Sequence, residues 1–144
     1  MATFLKNINM ISGSASKFLE QELPPQVRGW QSRYILCVCG TPGITQDGIA
    51  KDLFVNKSNV SRQVASLEEA GIFRREDDGQ DSRVFHVYPT EKGMELYEVI
   101  RAANARWREI ITEGLSPEEK DELFRLTSVL YENAVKYMDG GGTK

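Results

Sequence analysis

GITQDGIAKDLFVNKSNVSRQVASLEEAGIFRREDDGQDSRVFHVYPTEKG, residues 43–93, decides the fold of this 144-residue chain. Thr45 is placed to cap a short helix from Gln46 to Phe54, and Asn56 a longer one from Lys57 to Ala70 that Gly71 closes. Short side-chain oxygens satisfy the free N–H groups of a first helical turn, and glycine takes the left-handed conformation that ends a helix. After Gly71 the apolar period drops from 3.6 to 2: Ile72-Phe73-Arg74-Arg75, a polar turn Glu76-Asp77-Asp78-Gly79-Gln80-Asp81, then Arg83-Val84-Phe85-His86-Val87-Tyr88. That alternation predicts a β-hairpin with an acidic tip.

On the N-terminal side, Phe4, Ile8, Ile11, Ala15 and Phe18 make one helical stripe that Leu23-Pro24-Pro25 stops. An apolar segment from Val27 to Cys39 reads as a buried helix, ended by Gly40-Thr41-Pro42-Gly43. On the C-terminal side, Thr90 caps a long helix through about Thr112. Ser116-Pro117-Glu118-Glu119 then carries an N-cap, a proline at the first helical position and the Glu of a capping box. Leu123, Leu126, Leu130, Ala134 and Tyr137 form the stripe of that last helix, with Phe124 and Tyr131 beside it, and Gly140 to Lys144 read as a frayed tail. The expected fold is mainly α with a small β-hairpin wing, as one domain over 1–144. Its core is 27–89, its flanking helices are 1–22 and 91–138, and its disordered tail is 139–144. The two terminal stripes are more apolar surface than a small core can cover, so a homodimer through them is expected.

Composition removes several classes. The start mixes Lys6, Asn7, Asn9 and Lys17 among its apolar residues, which fits neither a signal peptide nor a membrane span, so a cytoplasmic protein is expected. Neither Cys37 and Cys39 nor the single histidine, His86, lies at metal-ligand spacing, so no metal or cofactor is expected. No catalytic pair, triad or Gly-rich phosphate loop occurs, and an enzyme is not expected. The net charge of −3 runs against a nucleic-acid ligand, but it is unevenly spread. Between Val55 and Leu67 stand Lys57 and Arg62 and no acidic residue.

Within that second helix Val60, Val64 and Leu67 fall on one face, and Ser58, Arg62, Ala65 and Glu69 on the opposite one, flanked by Asn59 and Ser61. Short polar side chains allow close approach to a major groove, an Arg there can pair bidentately with guanine, and Lys57 in an acid-free first turn suits a phosphate. An ordinary solvated helix face would look similar. The hairpin adds Arg83, which can reach a minor groove with Asp81 holding its guanidinium, or can simply be a surface ion pair.

The whole stretch resembles the winged helix-turn-helix core of the MarR family: a helix, a recognition helix ending in L-E-x-x-G, a wing with D-x-R, and T-x-x-G opening the next helix. The resemblance implies a dimeric regulator of transcription, with interleaved terminal helices and two wings on palindromic double-stranded DNA. By position its DNA-contacting residues are Ser58, Asn59, Ser61, Arg62 and the wing Arg83 with Asp81, joined by Thr45, Gln46 and Lys57. Gly48, Pro89 and the acidic wing tip depart from the family pattern. The alternative is a winged-helix module that binds protein instead of DNA, for which the isoelectric point near 5.3 speaks.

The resemblance also implies release by a small molecule or an oxidant. Phe18, Trp30 and Tyr34 either line an effector cleft, with Arg28 or Arg33 facing an aromatic or anionic ligand, or belong to the core. Cys37 and Cys39, at i and i+2 of an apolar run, point to different sides of a helix and read as buried, unreactive thiols.

Overall fold

The four capping side chains marked in the sequence all act as caps in the computed structural model, which describes residues 3–141. Thr45 Oγ1 accepts from Gly48 N at 3.0 Å, Asn56 Oδ1 from Asn59 N at 2.8 Å, and Thr90 Oγ1 from Gly93 N at 3.1 Å. Ser116 and Glu119 close the reciprocal box, at 3.1 and 2.8 Å. The resulting order is α1 (Phe4–Glu20), a 3-10 turn (Gly29–Gln31), α2 (Ser32–Gly40), β1 (Ile44–Thr45), α3 (Gln46–Leu53), α4 (Lys57–Glu69), β2 (Phe73–Asp77), β3 (Phe85–Pro89), α5 (Glu91–Ile111) and α6 (Pro117–Lys136). The fold is mainly helical with a small antiparallel sheet, as expected. It comprises two compact units that divide between Trp107 and Arg108.

In the first unit, Val60, Val64 and Leu67 of α4 join Ile35 and Val38 of α2, Ile49 of α3, Val87 of β3 and Ile100 of α5 in one core, all fully buried. The expected helix from Val27 is broken. Glu20 accepts from Gly29 N at 2.9 Å and fixes a 3-10 turn, and α2 begins only at Ser32. Helix α3 ends one residue early because Phe54 adopts the left-handed region, φ 55°. Arg33 donates to the freed Leu53 carbonyl at 2.6 Å, supplying a partner that a helix C-terminus otherwise lacks.

The sheet has three strands in the order β1-β3-β2, not two. Strand β1 is two residues long and carries no readable alternation; Ile44 pairs with Val87 and Thr45 with His86. Strand β2 runs further than the apolar pattern suggests, through Glu76 opposite His86 and Asp77 opposite Phe85, so Arg83 and Val84 lie in the wing turn. Polar residues are tolerated there because the wing end of a hairpin has little to bury against. Pro89 sits opposite Phe73 at the strand end, and the next rung comes from Thr90 N, which donates to Ile72 O at 2.9 Å.

Two glycines have steric reasons. A Cβ on Gly48 would stand 2.8 Å from Cγ1 of Ile44, so a larger helix former does not fit beneath β1. A Cβ on Gly93 would stand 2.4 Å from the Ile72 carbonyl oxygen. The T-x-x-G pattern is therefore a cap followed by a close approach of helix to strand.

In the second unit α6 has no buried residue; Phe124 lies under the Arg108 guanidinium, 5.7 Å from the ring centre. Tyr137–Gly141 continue as a π-helical turn kinked at Gly140, φ 117°; of the tail expected over 139–144, residues 142–144 lie outside the described residues.

Candidate nucleic-acid interface

Burial of Val60, Val64 and Leu67 leaves no rotational freedom to α4, and the face opposite them is exposed: Ser58, Ser61, Arg62 and Ala65. Asn59 and Gln63, one turn apart, lie half-buried on the flank. At the N-terminus Asn56 Oδ1 accepts from Asn59 N and also from the Ser58 hydroxyl, at 2.9 Å, which removes an acceptor's worth of competition from the first turn. Lys57 pairs with Asp47 of α3 at 3.2 Å, both side chains largely exposed. Such a pair contributes little to folding, and a phosphate is a stronger partner for the same ammonium.

The wing presents Arg83 with its side chain 88% exposed. Its Nε and Nη2 meet the two carboxylate oxygens of Asp81 at 3.1 and 3.2 Å, and its own backbone N–H donates to Oδ1 at 2.9 Å. These bonds from the Arg83 side chain and backbone hold the Asp81 carboxyl below the usual carboxylate range. The guanidinium is thereby aimed before any ligand arrives, in the planar two-bond geometry that a carboxylate imposes on arginine. At the wing base Arg75 donates twice to Glu68 of α4, at 2.8 and 3.1 Å, tying the hairpin to that helix.

Residues 23–84 match the model of the MarR family, a span that takes in both helices and the wing through Arg83. Over that span the chain is similar to the MarR family. It is 27% identical over 128 residues to the uncharacterized HTH-type transcriptional regulator YybA of Bacillus subtilis, covering 88% of this chain and 85% of that protein. The crystal structure of MarR superposes with a TM-score of 0.86 at 26% identity, over 94% of this chain and 92% of that one. A Listeria monocytogenes protein crystallised with a 26mer DNA shares the fold, with a TM-score of 0.84 at 22% identity over 100% and 99% of the two chains. YybA is by its name a transcriptional regulator and not an enzyme.

The sequence-derived site residues divide. Thr45, Lys57, Ser58, Asn59, Ser61, Arg62, Asp81 and Arg83 fall on the α3–α4 pair and the wing turn. Gln46, at the start of α3, is half-buried, and its Nε2 is buried without a hydrogen-bond partner. Of the effector candidates, Tyr34 is 1% exposed and belongs to the core, and burial raises its phenol pKa. Phe18 stacks on Trp107 at 5.4 Å, while Trp30 is 44% exposed. Arg28 is paired with Glu20 at 3.3 Å and Arg33 donates to the Leu53 carbonyl, so the two arginines serve different elements. Burial, with Asp52 beside it, pushes the half-buried Cys37 thiol up to about 12, and burial alone pushes the buried Cys39 up to about 11, which disfavours the reactive thiolate at both.

Sequence reasoning missed the role of His86. Its Nδ1 lies 2.7 Å from the Gly43 carbonyl oxygen and its Nε2 2.7 Å from Asp78 Oδ1. Both neighbours only accept, so both bonds form only with the doubly protonated ring, and the bonds to Asp78 and then Gly43 raise its pKa. Strand alternation placed this ring on the outer face; nothing in the pattern signals Gly43, brought close by the short β1. Among the described residues no group of His, Cys, Asp or Glu is placed to hold a metal ion, and no helix is long and apolar enough to cross a membrane.

Proposed function

We propose that this regulator is cytoplasmic and binds palindromic double-stranded DNA as a homodimer, acting as a repressor released by a small molecule. The observation that carries this reading is the pairing of a buried-backed polar face on α4 with a pre-aimed, exposed Arg83 in the wing. The recognition helix enters a major groove, where Arg62 pairs with guanine and Ser58, Asn59 and Ser61 sit against base edges, and Arg83 reaches the adjacent minor groove. Lys57 and the Thr45 end of α3 lie along the backbone. The Listeria relative with its 26mer DNA supports the same use of the fold.

Dimerisation is supported by apolar side chains exposed on α1, among them Phe4 at 63% and Leu5 at 66%, and on α6 by Leu126, Leu130 and Tyr131. Contiguous apolar faces of this kind mark interaction surfaces. An oxidative signal through Cys37 or Cys39 is disfavoured by their raised pKa, which leaves the small molecule.

Selection of duplexes from a random library at moderate salt, with wild type beside the Arg62→Ala, Arg83→Ala double variant, tests the reading. Wild type should enrich a palindrome with half-site centres about one helical turn apart, and the double variant none. A folded dimer that enriches nothing would point to a protein partner, as would binding whose affinity ignores salt.

A further inference from the structure

The flank of α4 carries a chain of amides that begins outside the helix. Gln31, at the end of the 3-10 turn, is 3% exposed. Its Oε1 accepts from Arg28 N at 2.8 Å, and its Nε2 donates to Gln63 Oε1 at 2.9 Å. Gln63 Nε2 in turn donates to Asn59 Oδ1 at 3.5 Å, and Arg62 Nη2 reaches that same oxygen at 3.4 Å.

A primary amide has an accepting side and a donating side, so each orientation dictates the next. The Arg28 N–H can only donate, which turns the Gln31 oxygen toward it and the Gln31 NH2 toward Gln63. Gln63 must answer with its oxygen and is left offering NH2 to Asn59. Asn59 is therefore approached by two donors, Gln63 and Arg62, and turns its oxygen to both. Its own NH2 lies on the other side of the same amide. The last contacts are long, but they need only choose between two orientations. A difference of about 1 kcal/mol favours one of them by roughly five to one.

We propose that Gln31 and Gln63 are positioning residues that make Asn59 a donor-only reader of the major groove, selecting a keto base, guanine or thymine, over an amino base, adenine or cytosine. The proposal rests on the DNA-binding role argued above. Guanine offers N7 and O6 and thymine O4, all acceptors; cytosine offers only its N4 donor. Adenine is ordinarily read by an asparagine that gives an NH2 to N7 and takes a hydrogen from N6. Here the oxygen for the second bond is already engaged.

The isosteric change Gln63→Glu reverses the logic. A carboxylate still accepts from Gln31, but its second oxygen now requires the Asn59 NH2, which turns the Asn59 oxygen toward the groove. The amino base should then be selected at the Asn59 position, a change in preference of roughly tenfold. Asn59→Asp, which offers acceptors only, should shift the same base pair the same way without Gln63. Gln31→Met, which removes the source of the orientation at similar volume, should level the keto-to-amino ratio there and leave other positions of the motif unchanged.

The experiment is the random-duplex selection, repeated with these three full-length variants once circular dichroism has shown each to be folded. Failure of wild type to enrich any duplex would remove the DNA-binding role, and this inference with it. A wild-type palindrome accompanied by an unchanged Gln63→Glu motif overturns the inference alone. A shift with Asn59→Asp but not with Gln63→Glu does so too, because Asn59 would then read the base without the relay.

Discussion

Helix α4 and the wing hold the residues proposed to face DNA by opposite means. Helix α4 sets Arg62 by burying Val60, Val64 and Leu67 completely, so its orientation depends on packing. The wing tip has no buried residue from Glu76 to Tyr88 other than Val87. It sets Arg83 and its own geometry by charge: Asp81 on Arg83, Asp78 on His86, and Glu76 on Arg74 at 2.6 Å. Packing is indifferent to modest changes of pH and salt, whereas exposed ion pairs are screened and titrate. One half of the interface is thus rigid and the other tunable.

The largest effect expected from breaking this contrast is on stability. Leu67→Ala should cost about 2–5 kcal/mol by deleting a fully buried side chain, read by urea unfolding. Arg83→Ala should stay within about 0.5 kcal/mol of wild type, since its guanidinium touches only exposed groups. Equal losses from the two would mean that the wing is part of the core after all.

The second contrast is in DNA binding. Arg62→Ala should relax preference by about 1–3 kcal/mol at one base pair of each half-site. Arg83→Ala should weaken all sequences alike and lower the salt slope by about 1 if its partner is a phosphate. A loss from Arg83→Ala that is largest on duplexes with a narrow minor groove would show that, in the groove it reaches, it reads width as well.

The same division explains what could be read from the sequence. A helix with one apolar face leaves a periodic trace whether that face is buried, as in α4, or exposed, as in α1 and α6, so these helices were legible from spacing, and the caps Asn56 and Ser116 from residue type. The D-x-R pair was legible because its partners are two residues apart. Gln31 and Gln63 are 32 residues apart, and Asp78, His86 and Gly43 meet only once β1 has joined the sheet. No local pattern records such contacts. Tyr34 was open between cleft and core because an aromatic on a helix looks the same from sequence in either place, and only packing decides. Gly48 and Pro89 looked like departures for the same reason: Ile44 and the Thr90 rung that explain them belong to other elements.

The smallest expected effect is the one specific to the wing, its response to pH. Both ring nitrogens of His86 face acceptors, so the folded wing favours the charged ring and raises its pKa above the ordinary value of about 6.5. Asp78 and Glu76 of the β2 side and the Gly43 carbonyl before β1 all favour that charge, and Thr45 opposite it carries none. Below about pH 6.5 the ring is protonated folded or unfolded, and the stabilisation is fully present. As pH rises through the folded pKa one proton leaves, one of the two ring nitrogens no longer donates, and the stabilisation is lost. His86 is the only histidine, so one imidazole signal followed by NMR against pH reports it without assignment. Its midpoint should lie above the ordinary value in wild type and fall toward it in Asp78→Asn. DNA affinity should decline through the same interval in wild type and lose that dependence in His86→Leu. A midpoint at or below the ordinary value would mean that the ring does not clamp the wing, and that the tunable half of the interface is tuned by Asp81 and Arg83 alone.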